Sequence, residues 1–107
     1  MIEMTEVTVN SRICGFTHKI KGKMEGDKVI VDIDTPCEKI KEFPHIEVPM
    51  MDLFDIKDNC VMEKAKEADC TSICLVPCGV MHVCRIEAGL LSKTLAQNVG
   101  SVDISFE

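Results

Sequence analysis

The chain has no tryptophan and no tyrosine, and its aromatic content is only 4% of 107 residues. A core without large rings must be built from Val, Ile, Leu, Met and Cys, with seven methionines as adaptable filling. Basic residues are also scarce: 12 Lys and Arg stand against 18 Asp and Glu, for a net charge of −6. That balance excludes nonspecific binding to nucleic acid or to an anionic membrane, because both need basic surface. No run approaches the roughly 20 apolar residues of a membrane-spanning helix. Met1-Ile2-Glu3-Met4 begins neither the basic region nor the long apolar run expected of a secretory leader. A Gly-rich phosphate loop, a Ser-His-Asp set and a nucleotide-binding fingerprint are all missing, which removes the commoner enzyme classes. Repeats, low-complexity tracts and linkers are missing too. Residues 1–107 therefore read as one domain, long enough to bury a core without disulfide staples.

What is present is alternation, then helix signals, then cysteine. From Thr5 to Ile13 the even positions are polar, while Val7, Val9 and Ile13 are apolar. Lys19, Lys21 and Lys23 alternate with His18, Ile20 and Gly22, and Val29, Val31 and Ile33 with Asp32 and Asp34. This period of two predicts strands over 5–13, 18–24 and 28–34, joined by short turns into an antiparallel meander with one wet face. Lysines of the second strand should lie opposite acids of its neighbours. Thr35-Pro36-Cys37-Glu38 has the pattern of a capping box and predicts a short helix ended by Phe43-Pro44. Residues 44–57 are ambiguous. Asp58 can cap a second helix to about Ala68, and a third runs from Pro77 to at least Leu91. Val102, Ile104 and Phe106 alternate as a final strand. The expected architecture is α+β, a sheet of about four antiparallel strands in the order β-β-β-α-α-α-β, with the helices on one face.

Seven cysteines occupy this chain, and Cys70, Cys74, Cys78 and Cys84 fall close together in its nearly uncharged end. Residues 1–69 hold 15 acidic and 10 basic side chains, while residues 70–107 hold 3 and 2. Such an end is apolar enough for an interior or for contact with a protein partner, including a second copy of the chain. An odd, crowded set of thiols makes a poor disulfide framework and points to a reducing cytoplasm. Abundant Cys and Met would also suit an anaerobe. Cys84 falls with Val80, Val83 and Leu91 on an apolar helix face and reads as packing. Cys70 and Cys74 read as core and loop filling, and Cys60 as a partly exposed thiol.

Cys78 is the most suggestive thiol. It sits at the start of the third helix, where free amides and the helix dipole favour a thiolate. It is therefore expected to be the most acidic thiol of the chain. His82 lies four residues on, on the same helix face, so the pair can chelate one metal or form a thiolate–imidazole couple. Cys37 likewise sits at a helix start, although it also fits an apolar stripe with Ile40 and Phe43. Cys14 ends the first strand beside Gly15, which lets backbone approach a ligand closely. Cys14, Cys37 and Cys78 come from one turn and two helix starts, and the three could meet near one edge of the sheet with His82 beside them.

Antiparallel hairpins carrying Cys14-Gly15, a Cys at a helix start after the third strand and a third Cys on a later helix resemble iron–sulfur scaffold proteins of the NifU/IscU type. The resemblance covers roughly residues 5–90 as an order of elements. It implies an iron–sulfur cluster or zinc held by Cys14, Cys37 and Cys78. Phe16 stands where that family has an Asp after its first Cys-Gly. The segments Ile13-Cys14-Gly15-Phe16, Val76-Pro77-Cys78-Gly79-Val80 and Ile86-Glu87-Ala88-Gly89-Leu90 are similar to a family of small uncharacterised proteins of methanogens, which are archaea, and of other anaerobes. Three functions follow as expectations. The first is a cytoplasmic metal- or iron–sulfur-binding module using Cys14, Cys37, Cys78 and His82. The second is a structural or partner-binding domain whose cysteines only pack. The third is a thiol redox or persulfide protein using Cys78.

Overall fold

A computed structural model describes residues 4–107. Four strands come first: β1 (Thr5–Ser11), β2 (Phe16–Glu25), β3 (Lys28–Asp34) and β4 (His45–Pro49). They form one antiparallel sheet in the order β1-β2-β3-β4. Three helices follow: α1 (Cys60–Glu67), α2 (Val76–Glu87) and α3 (Lys93–Val99). The protein is an α+β domain with helices packed on the sheet, as the alternation predicts. Among the described residues no helix is long and apolar enough to cross a membrane.

The period of two becomes two chemically distinct faces. Val9, Ile20, Val29, Val31, Ile33, Ile46 and Val48 are buried together. On the opposite face Lys21 pairs in register with Asp32 and with Glu6, and Lys19 with Asp34. Opposite charges thus meet across the wet side of the sheet. His18 is buried, and its Nδ1 lies 2.7 Å from Thr35 Oγ1. Burial lowers its pKa by penalising the charged ring.

α2 lies on the dry face and approaches the strands closely. A Cβ at Gly79 would lie 2.6 Å from Val9 Cγ2 and 3.0 Å from Ile20 Cδ1, and one at Gly22 would collide with Val83 Cγ1. These two glycines let backbone rest where a side chain would hold it off. At the far end of α2, Glu87 accepts hydrogen bonds from Thr5 Oγ1 and, at 3.0 Å, from the Met24 amide. α2 therefore runs from the Val9/Ile20 end of the sheet to the Thr5/Met24 end.

Four elements differ from the sequence expectation. The fourth strand is residues 45–49, not 102–106, because Ile46 and Val48 cover Val31 and Val29 at the outer side of β3. Residues 102–106 pair with no strand among the described residues and are exposed. The helix expected from Pro36 is reduced to one 3-10 turn, Ile40–Glu42. Thr35 Oγ1 accepts from the Cys37 amide at 3.0 Å, and Glu38 pairs with Lys41 at 3.3 Å rather than closing the capping box. Too few residues precede Pro44 to offset the cost of helix nucleation. The third helix ends at Glu87, since Gly89 adopts φ 77° and Leu90 N donates to Arg85 O at 2.8 Å, and α3 starts afresh on its Ser92 cap.

Candidate functional site

The start of α2 is built on Val76 and Pro77, both buried, with Cys78 exposed immediately after them. Leu75 precedes the helix in an αR conformation and offers no capping side chain. The first ladder bond runs from Gly79 N to Leu75 O at 2.9 Å, so the Cys78 amide lies ahead of the ladder. Gly79, pressed onto Val9 and Ile20, fixes the height of this helix end over the sheet.

One turn on, His82 faces Cys78 as the i,i+4 spacing predicts. Cys78 Sγ and His82 Nδ1 are 3.7 Å apart. The same Nδ1 lies 2.8 Å from the Cys78 carbonyl oxygen. A carbonyl can only accept, so that bond assigns the proton to Nδ1 and leaves the lone pair on Nε2. Nδ1 thus lies within reach of both the carbonyl oxygen and the sulfur of Cys78.

The pair opens onto a cleft of about 330 Å³ lined by Cys78, Met81, His82, Arg85, Leu90 and Leu91. Arg85 Nη1 donates to Leu53 O at 2.8 Å, so its guanidinium is anchored. The cleft thus combines a thiol, an imidazole and a fixed cation with apolar walls. Met81 and Arg85 could have been found from the sequence, because 78, 81, 82 and 85 form one helical stripe. Leu90 and Leu91 reach the cleft only because α2 breaks at Gly89.

The other candidate ligands lie at the same end of the sheet but apart from this pair. Cys14 is exposed in the turn between β1 and β2. Cys37 is half-buried in the loop after β3 and lies near Cys70, which also neighbours Cys74. The Cys70 thiol is pushed up to about 11, first by burial, then by the charge and hydrogen bonding of the neighbouring Cys74 and by the proximity of Cys37. Lys39 Nζ ties this region together by donating to Asp69 O at 2.9 Å. Among the described residues no three His, Cys, Asp or Glu side chains are arranged to hold a metal ion. The structure therefore brings Cys78 and His82 together, but does not gather Cys14 and Cys37 with them. The physical reason is the lost first helix: the loop that replaces it packs Cys37 toward the end of α1.

The remaining thiols are held protonated. Burial pushes Cys84, fully enclosed in the core, up to about 12. Burial and the neighbouring Asp52 carboxylate push Cys60 up to about 11. Neither suits a reactive role.

Residues 5–99 match the family model described as "Family of unknown function (DUF6951)". No curated protein and no solved structure matches the chain. The match spans every strand and helix described above, and the chain belongs to the family DUF6951.

Proposed function

We propose that the protein is a small thiol module that takes up a transferable sulfur at Cys78, with His82 as its hydrogen-bonding partner. The observation that carries this reading is the 3.7 Å approach of Cys78 Sγ to His82 Nδ1 at the rim of the α2 cleft. In the step envisaged, the Cys78 thiolate attacks the outer sulfur of a donor persulfide. A new S–S bond forms while the donor's S–S bond breaks, and the donor leaves as a thiolate with the electron pair. The proton on the transferred sulfur travels with it. His82 Nδ1 stands 3.7 Å from the reacting sulfur, and Arg85, Met81, Leu90 and Leu91 line the cleft beside it. Seven free thiols fit a reducing cytoplasm as the compartment.

Reduced protein exposed to inorganic polysulfide without oxygen tests this reading. The mass of one added sulfur should be found on the Cys78 peptide, should vanish in Cys78→Ser and should form more slowly in His82→Gln. Equal uptake at Cys14 or Cys74 would overturn it.

A second reading has its own support. The 3.7 Å separation is close to the roughly 3.6 Å expected between sulfur and nitrogen on one tetrahedral zinc. Zinc or an iron–sulfur cluster could then take Cys78 and His82 as two ligands. Recruiting Cys14 and Cys37 would require their loops to move, and binding through Nδ1 would require the imidazole to give up its bond to the Cys78 carbonyl. Metal analysis and a visible spectrum of protein purified without oxygen separate the readings. A stoichiometric metal lost in both Cys78→Ser and His82→Gln would favour this one.

A further inference from the structure

The last fifteen residues of the chain are poorly used by its own fold. α3 contains no buried residue. Every residue from Gln97 to Glu107 is exposed, and Val102, Ile104 and Phe106 are 75%, 74% and 79% exposed. Yet Val102-Asp103-Ile104-Ser105-Phe106 keeps the strict alternation of a half-buried strand. Three large apolar side chains on one side of an extended segment normally lie against an apolar surface.

The sheet has two edges, and only one is open. β4 is five residues long, is preceded by Pro44 and ends in Pro49, and proline cannot donate to a ladder. The Glu47 carbonyl of β4 already accepts from Cys60 Sγ at 3.8 Å. β1 is seven residues long, contains no proline, and among the described residues pairs only with β2. Val7, on the dry side of β1, is left half-exposed between buried Thr5 and Val9. β1 is thus an unprotected edge with an uncovered apolar margin.

We infer that residues 102–106 add as a strand to β1 of a second copy of the chain. Side-chain parity puts Val102, Ile104 and Phe106 beside Val9, Val7 and Thr5 on the dry side. Asp103 and Ser105 then fall on the wet side, beside the polar residues Thr8 and Glu6 of β1. A second copy is the occupant because, among the described residues, the folded chain leaves the β1 edge without a partner strand and its own tail exposed. If each copy gives its tail to the other, the contact is two-fold and closes as a dimer.

Analytical ultracentrifugation and hydrogen exchange of the full chain test this inference. The full chain should sediment as a dimer, and the outward-facing amides of β1 should be protected at high concentration and exposed on dilution. Ile104→Asp with Phe106→Asp should give a monomer of unchanged circular dichroism, as should a chain ending at Gly100, since nothing beyond that residue is buried. A dimer that survives these changes would overturn the inference. So would a monomeric full chain, whether its β1 amides are exposed or are protected independently of concentration, the second result meaning that the tail folds back on its own edge.

Discussion

Two helices of this protein start beside a cysteine, and they start in opposite ways. At α1 the Asn59 side chain accepts from the Met62 amide at 2.8 Å, and the Asp52 carboxylate accepts from the Cys60 amide at 2.8 Å. The amides are satisfied, a negative charge is already in place, and the Cys60 thiol is half-buried with its pKa raised to about 11. At α2 no side chain caps the helix, Cys78 is exposed, and the nearest partner is an imidazole N–H. The same sulfur is a packing atom in one place and a candidate reagent in the other. What differs is whether the protein has spent the helix start on its own carboxylate.

The largest expected difference is in reactivity. At pH 8 a thiol with a pKa near 11 is only about one part in a thousand ionised. Alkylation of the reduced, metal-free protein, read by peptide mass, should label Cys78 at least about tenfold faster than Cys60. Cys84 should label last. Faster labelling of Cys60 would remove the contrast.

The next effect is on stability. Gly79→Ala forces a methyl group into Val9 and Ile20 at the base of the α2 start. It should cost roughly 1–3 kcal/mol in urea unfolding, despite alanine's better helix propensity. Loss of this tight seat should also slow labelling of Cys78. At α1, Asn59→Ala removes a formed cap and should cost about 1 kcal/mol.

A smaller contrast sets two histidines of the sheet, His18 on β2 and His45 on β4, apart by pH. His18 is buried with a lowered pKa, so the unfolded chain binds the proton more readily. Its contribution is complete above the unfolded value of about 6.5 and is lost as pH falls from there toward the lowered folded value. Exposed His45 shifts the opposite way, raised by Asp32, but solvent screens it. Stability should therefore fall on acidification below about pH 6.5, with a slope reduced in His18→Gln. The smallest effect is expected at Leu75→Asp. Leu75 is αR rather than extended, so an acid there cannot reach the free amides, and stability should stay within about 0.5 kcal/mol.

Much of this was legible residue by residue. The alternation of Lys19, Lys21 and Lys23 with His18, Ile20 and Gly22 defined β2 and its two faces. The spacing of Cys78 and His82 foretold their contact, and the apolar company of Cys84 its burial. The short strand His45–Pro49 was not legible, because a five-residue run ending in a proline has too little pattern of its own. The grouping of Cys37 with Cys70 and Cys74 was hidden for another reason. It depends on a helix that the capping pattern suggested and that Pro44 and the packing of Ile40 and Phe43 left as a single turn.

By itself the sequence determined the α+β class, the wet and dry faces of the first three strands, and the helix face that carries Cys78 and His82. Each of these is a local matter of side-chain period, which the backbone geometry of strands and helices enforces over a few residues. Only the tertiary structure decided which segment completes the sheet, which thiols meet, which are held protonated, and which edge stays open. Those outcomes depend on desolvation and on contacts between residues far apart in the chain, where no local period can specify the partner.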